Sequence, residues 1–376
     1  MKAWNLKKIG IIEYEEVDKP LISDGEVLVA VKAVGVCGSD IPRIYQDGAH
    51  RMPLIPGHEF AGKVVETSAC EAKWLGKRVG VFPLIPCRTC IACQKGKYEM
   101  CRSYSYLGSR RDGGYAEYVA VPVENLLELP DSVTYEQAAM LEPMAVAVHA
   151  MRRLGFGKSN GGEVASGCVD ISKCGSSDTV VVCGLGTIGA LLVMFLLERG
   201  VKNLYVIGNK EFQREKMRAL GVPEEHYCDS RATDVKAWLD RVTGGSGVDA
   251  FFECVGRNET VSLAIDAAAP GGAVCMVGNP YTDMTLTKDV YWKILRNQLR
   301  ITGTWNSSFF EGDVPVDSAQ SQTELTDWQY VIQLLGQGRI APEQFISHRF
   351  KLEELEKGLH IMRDKSEDYM KVMIEI

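Results

Sequence analysis

The sequence lacks any apolar run long enough to cross a bilayer. Its longest, Ala190 to Leu197, is far shorter than the roughly 20 residues a membrane helix needs. The N-terminus, Met1-Lys2-Ala3-Trp4-Asn5, enters a polar, charged stretch instead of an apolar segment, so no secretory signal is expected. A field of positive charge is also missing. The formal net charge is −7 over 376 residues, with Lys and Arg scattered among acids, which argues against nucleic acid or a membrane surface as partner. A small molecule is the expected partner. The twelve cysteines form no even framework, and a chain of this length needs no disulfide staples, so a reducing cytoplasm is the expected location. No internal repeat is present.

What the chain does contain is enough apolar surface for two cores, since 46% of its residues are hydrophobic and its length exceeds what one core usually fills. From Glu26 to Val36, then through Val64-Val65, Val79-Phe82 and Tyr115-Val121, short β-like segments are separated by Gly and Pro. From about Thr179 the texture changes. Apolar strands over Val180-Cys183, Leu204-Ile207, Ala250-Glu253 and Ala273-Val277 alternate with helical patterns such as Ile188-Arg199 and Phe212-Leu220, which predicts a parallel sheet covered on both faces. Between these regions Gly155-Ser177, rich in Gly, Ser and Asn, reads as an exposed loop or insertion. After Trp305 the pattern is mixed, with helices expected over Asp327-Gly336 and Leu352-Met362 and a closing strand over Lys371-Ile376.

Cys87, Cys90, Cys93 and Cys101 form a C-x2-C-x2-C-x7-C run. Thiolates at this spacing can close a tetrahedral cage on one Zn²⁺, and four protein ligands leave no position for a substrate. The run therefore predicts a structural zinc that braces a loop. Gly184-Leu185-Gly186-Thr187-Ile188-Gly189 gives G-x-G-x-x-G directly after one apolar strand and directly before a helix. In that context Gly184 permits the turn, Gly186 admits a pyrophosphate, Gly189 lets helix pack on strand, and the helix N-terminus favours phosphate charge. The next strand ends in Gly208-Asn209-Lys210, without the acid that would accept both ribose hydroxyls of NAD. NADP is favoured on this reading, its 2′-phosphate paired with Lys210, with Arg214 a second candidate; the alternative is a solvated Lys210 with NAD held through Asn209.

A second metal site is expected from residues that are unremarkable singly. Cys37-Gly38-Ser39-Asp40 follows a strand, Gly57-His58-Glu59 comes some twenty residues later, and Glu142 stands in Leu141-Glu142-Pro143 ahead of the apolar helix Met144-Met151. Cys37, His58 and Glu142 would leave a fourth position open for water or substrate, the arrangement of a catalytic zinc. Glu59 is a further carboxylate that could replace Glu142 or alternate with it. Ser39 is the local hydroxyl that takes an alcohol proton, and Asp40 the acceptor that orients His58.

With these motifs in this order, the chain resembles the zinc-containing medium-chain dehydrogenase/reductase family over almost its whole length. A glutamate in place of a third cysteine ligand is similar to its polyol dehydrogenase branch. So are Ser39-Asp40-Ile41-Pro42-Arg43, Gly48-Ala49-His50 and Gly108-Ser109-Arg110-Arg111-Asp112-Gly113-Gly114, which match branch members acting on a polyol phosphate. The resemblance implies an α/β protein: a GroES-like β-rich catalytic domain over 1–150, with the zinc lobe near 83–104, a Rossmann doubly wound domain over 151–304, and a return to the catalytic domain over 305–376. It implies an active cleft between the domains, two Zn²⁺ per chain, NAD(P) and a homodimer or homotetramer. Ser68, in place of a signature glycine, and Gly208, in place of an aspartate, depart from the pattern. The expected reaction is hydride transfer from a secondary alcohol of a polyol or polyol phosphate, with Arg43, Arg110 and Arg111 as a phosphate clamp. Two alternatives stand beside it: a diol, sugar or amino-alcohol dehydrogenase without phosphate, and a dinucleotide sensor on a retired scaffold.

Overall fold

A computed structural model describes residues 1–156, 178–310 and 325–376. The long insertion expected over Gly155-Ser177 falls almost wholly outside the described residues. The chain divides into two compact units, one built mainly from Met1–Pro143 and Trp328–Ile376, the other mainly from Met144–Ser307.

The first unit is organised on Glu26–Val36, an eleven-residue strand buried along most of its length. Antiparallel neighbours flank it: Glu59–Thr67 on one side, Lys371–Glu375 on the other, and Tyr118–Pro122 against its first half. The partner at Lys371–Glu375 comes from the far end of the chain, with Val372 opposite Val36. That pairing sets the last strand beside Cys37. The core inside this sheet contains Val29, Phe60, Val79 and Tyr115, all almost fully buried. At about 1.5–3 kcal/mol for each large apolar side chain, it fixes the strand ends that carry the reactive residues.

The second unit holds six strands in the order Tyr227–Asp229, Leu204–Gly208, Val180–Cys183, Val248–Glu253, Ala268–Met276, Arg300–Gly303, every neighbour parallel. In chain order that is 3-2-1-4-5-6, the doubly wound arrangement, whose ligand crevice lies where the order reverses, at the end of Val180–Cys183. All four residues of that central strand are buried, as parallel strands covered on both faces require. The helix Thr187–Glu198 follows it, and Ala190 through Leu196 are buried, so the apolar run that is too short for a membrane is a core helix. Among the described residues no helix is long and apolar enough to cross a membrane.

Two boundaries differ from expectation. Glu142 stands in the first turn of a helix, Leu141–Arg153, and not ahead of one. Pro143 does not delay the start, because a proline near a helix N-terminus costs no hydrogen bond and its φ is already helical. The Leu352 region begins as a 3₁₀ turn, Leu352–Glu354, before the α-helix Leu355–Asp364.

Candidate metal centres and nucleotide turn

The four thiols of the cysteine run lie within 4.8 Å of one another. Sγ–Sγ distances are 3.9 Å for Cys87–Cys93, 3.5 Å for Cys90–Cys93 and 3.9 Å for Cys90–Cys101. A regular tetrahedron with Zn–S of about 2.3 Å has edges of about 3.8 Å, so the donor set fits zinc without rearrangement. All ten described cysteines are free thiols. The Cys87 backbone N–H donates to Cys101 Sγ at 3.2 Å, so the peptide frame supports the ligands. Arg88, between two of the cysteines, lies over the rings of Tyr98 and Phe310 at 5.0 and 4.7 Å, which ties the lobe to its own unit.

The second group is Cys37, His58 and Glu59, whose ligand atoms also lie within 4.8 Å of one another. Cys37 is carried by the end of the Glu26–Val36 strand, and His58 and Glu59 by the start of its antiparallel neighbour. His58 and Glu59 are buried, while Cys37 is partly open. The Ser39 hydroxyl donates to Cys37 Sγ at 3.3 Å. Asp40 is fully buried and accepts from the Cys37 backbone N–H at 3.1 Å, the Tyr115 hydroxyl at 2.7 Å and the Arg43 guanidinium. Burial pushes its carboxyl up, but the His58 and Arg43 charges outweigh that and hold it well below the usual range. His58 Nδ1 is buried without a hydrogen-bond partner and faces Asp40 Oδ1 at 3.5 Å. A carboxylate behind one ring nitrogen is what fixes an imidazole for metal at the other, so these donors fit an ion with an open position.

The two glutamates are differently engaged. Glu59 pairs with Lys371, both almost completely buried, and Lys371 also donates to the Val36 carbonyl at 3.1 Å. Glu142 lies outside the 4.8 Å group and accepts from the Tyr106 hydroxyl at 3.1 Å. Burial, with the Glu142 charge beside it, pushes the Tyr106 phenol well above its ordinary range, so it remains a donor. Tyr106 also sets its ring edge against His58, with centroids 5.8 Å apart. Lys371, Tyr106 and Tyr115 were not singled out from sequence. Lys371 carried one signal, a lysine opening the otherwise apolar Lys371-Val372-Met373-Ile374.

The three candidate clamp arginines have separate partners. Arg43 is held by Asp40, and Arg111 by Glu26 at 2.5 Å. Arg110 lies over the Tyr104 ring at 4.5 Å, and its Nε is buried without a partner.

In the second unit Gly184 has φ +97°, and a Cβ there would strike the Val255 side chain at 2.6 Å; one on Gly189 would lie 1.9 Å from the Gly184 carbonyl. Those glycines are required by the protein's own packing. Gly186 is not: its φ is −73° and a Cβ would meet no protein atom within 4 Å. A glycine that the fold does not need, at the entrance to the Thr187–Glu198 helix with Ile188 behind it, suits close approach of a ligand backbone or phosphate. At the adjoining strand end a Cβ on Gly208 would meet Tyr227 Oη at 2.5 Å and Gln213 Oε1 at 2.9 Å, so an acid there would require these two side chains to move. The Asn209 N–H is capped by Gln213 at 3.1 Å, and the Tyr227 hydroxyl donates to the Lys210 carbonyl at 3.1 Å. Arg214 is paired with Glu224 and lies 5.8 Å over the Tyr227 ring.

Comparison with known proteins identifies the family. Residues 23–131 match the family model described as alcohol dehydrogenase GroES-like domain, and residues 187–321 the one described as zinc-binding dehydrogenase. Galactitol 1-phosphate 5-dehydrogenase of Escherichia coli K12 is 30% identical over 93% of each chain. The crystal structure of galactitol-1-phosphate dehydrogenase from Escherichia coli superposes with a TM-score of 0.85 at 28% identity, over all of both chains. A putative zinc-binding dehydrogenase from Sinorhizobium meliloti, bound to NADP, gives a TM-score of 0.82 at 26% identity over 100% of this chain and 99% of that one. The chain belongs to the zinc-containing medium-chain dehydrogenase/reductase family and is a zinc-dependent, NAD(P)-linked dehydrogenase of polyols or alcohols.

Proposed function

We propose that the chain reversibly oxidises a secondary alcohol of a polyol phosphate of the galactitol 1-phosphate kind, with NADP as the favoured acceptor and one zinc at each of the two thiol-bearing groups. The observation that carries this reading is the gathering of Cys37 and His58 from separate strands, with the Ser39 hydroxyl 3.3 Å from the thiol and the Glu59 carboxylate in the same group. When bound, zinc supplies the Lewis acidity that makes the substrate hydroxyl acidic, and the nicotinamide supplies the acceptor carbon for the hydride. Cys37, His58 and Glu142 are the ligands on this reading. Glu59, already neutralised by Lys371, stays behind them as the alternate. Ser39 takes the substrate proton and passes it toward solvent. Asp40 holds the His58 ring, and Tyr106, kept protonated, aims Glu142.

The NADP preference is supported by Gly208, which leaves no acid at the strand end, and by Lys210 two residues on, with Arg214 available if it leaves Glu224. The domain division of 1–150, 151–304 and 305–376 is part of the same reading, as is a cytoplasmic location. A homodimer or homotetramer is supported by the exposed Tyr291, Trp292, Leu295, Ile301 and Trp305 around the outermost strand of the parallel sheet. A second reading, an unphosphorylated diol, sugar or amino alcohol as substrate, is favoured by the engagement of Arg43 and Arg111 with carboxylates. Steady-state kinetics with galactitol and galactitol 1-phosphate, each with NAD and NADP, separate the readings. The expected result is kcat/KM at least about tenfold higher for the phosphorylated polyol, about 1.4 kcal/mol of phosphate recognition, and higher with NADP. Equal values for the two polyols would establish the second reading, and a strong NAD preference would overturn the Gly208 argument.

A further inference from the structure

The loop Gly108–Gly114 lies backbone to backbone on the segment that carries His58. A Cβ on Gly108 would come within 2.5 Å of the Gly57 carbonyl and 2.9 Å of the His58 nitrogen, and one on Gly113 within 2.1 Å of the Gly57 carbonyl. The loop is pinned there by Gly114 N–H to the Gly57 carbonyl and Gly113 N–H to the Ile55 carbonyl, both 2.7 Å. Its tip residue is therefore rigidly placed relative to the metal-binding histidine. That residue is Arg110, whose guanidinium lies over Tyr104, which contacts Tyr106, which in turn meets His58.

A second segment closes on the same tip. The Arg51 Nε donates to the Arg110 carbonyl at 3.1 Å, and Arg51 also binds Asp112, which accepts in addition from the Ile55 N–H. His50 precedes Arg51 and is exposed. Partial desolvation and the positive charges of Arg110 and then Arg43 hold the His50 imidazole below its ordinary range, so a neutral imidazole and two guanidiniums bear on one small region. Asp112, the loop's carboxylate, is taken up by Arg51, and Asp40, the partner of Arg43, is fully buried. Among the described residues, that leaves the Arg110 guanidinium as the charge here without a carboxylate partner. The buried, unpartnered Nε of Arg110 is a donor waiting for an acceptor.

We propose that His50 and Arg110, backed by the charge of Arg43, form the subsite that recognises the terminal phosphate of the substrate, and that Arg111 takes no part. The assignment rests on the polyol phosphate reading above and replaces its three-arginine clamp. Arg110 supplies the planar fork that suits phosphate oxygens, Tyr104 fixes the plane of that fork, and His50 closes the opposite side.

The test is the ratio of kcat/KM for galactitol 1-phosphate to that for galactitol, measured in wild type, His50→Gln, Arg110→Met, Arg110→Lys and Arg111→Met. A charge-assisted hydrogen bond to phosphate predicts a drop in the ratio of about 10- to 100-fold for Arg110→Met and His50→Gln, with partial recovery in Arg110→Lys. Arg111→Met should lower the thermal midpoint through its lost pairing with Glu26 and leave the ratio as it was. Competitive inhibition by inorganic phosphate should weaken in the same two variants. A wild type without phosphate preference would overturn the parent reading, and this subsite with it. A wild type that prefers phosphate, with His50→Gln and Arg110→Met losing activity equally on both polyols, would overturn the subsite alone.

Discussion

The two thiol-bearing groups belong to the same unit of the chain and differ in how they are assembled. The Cys87, Cys90, Cys93 and Cys101 group is complete within fifteen residues and its distances already match a filled tetrahedron. The Cys37 and His58 group draws on segments that run from residue 37 to residue 371, and each carboxylate near it is engaged elsewhere, Glu59 with Lys371 and Glu142 with Tyr106. On the proposed reading, the difference separates holding from reacting. A closed set satisfies itself with nothing left to offer a substrate. The open set depends on charge balance and hydrogen bonds supplied by residues that never touch the ion.

The pairing behind the open site gives the largest expected effect. Glu59→Gln leaves the buried Lys371 ammonium uncompensated and should cost about 3–5 kcal/mol of stability in denaturant unfolding. The double variant Glu59→Gln with Lys371→Met should recover most of that loss. If the single variant unfolds like wild type, the open group has no charge balance of its own, and the contrast with the closed group weakens.

The glycines of the nucleotide turn extend the contrast between what the protein needs for itself and what it leaves for a ligand. Gly189→Ala should destabilise by about 1–3 kcal/mol, because its methyl would lie 1.9 Å from the Gly184 carbonyl. Gly186→Ala meets no protein atom and should change stability by no more than about 0.5 kcal/mol. It should nevertheless raise the KM for the dinucleotide about tenfold, a loss of about 1.4 kcal/mol of binding. An unchanged KM would mean that the ligand backbone does not approach there.

The fold was legible wherever the signal is local. Val180–Cys183 reads as a buried parallel strand because all four residues are apolar, and the glycine turn that follows sits between strand and helix as the pattern requires. The four-cysteine run needed only its spacing. The surroundings of the open site were not legible, because they depend on which distant strands pair. Lys371 reaches Glu59 because Val372 lies opposite Val36, a register that no local pattern encodes. Arg111 reads as a free loop arginine until its partner, Glu26, is seen 85 residues away. His50 lies within a visible motif, but its proposed role depends on Arg51, which binds the Arg110 carbonyl. Glu142 lies inside its helix and not ahead of it, because a proline at position 143 is acceptable in a first turn.

The central claim is that the closed group braces and the open group reacts. Zinc content per chain, determined with NADP-linked turnover on the same samples of wild type, Cys37→Ser and Cys90→Ser, tests it most directly. Two zinc ions are expected in wild type and one in each variant. Cys37→Ser should lose turnover about a thousandfold or more with its thermal midpoint preserved. Cys90→Ser should show a lowered midpoint, by about 2–4 °C for each kcal/mol lost, while its folded fraction still turns over. Sustained turnover in Cys37→Ser, or abolished turnover in well-folded Cys90→Ser, would contradict the account.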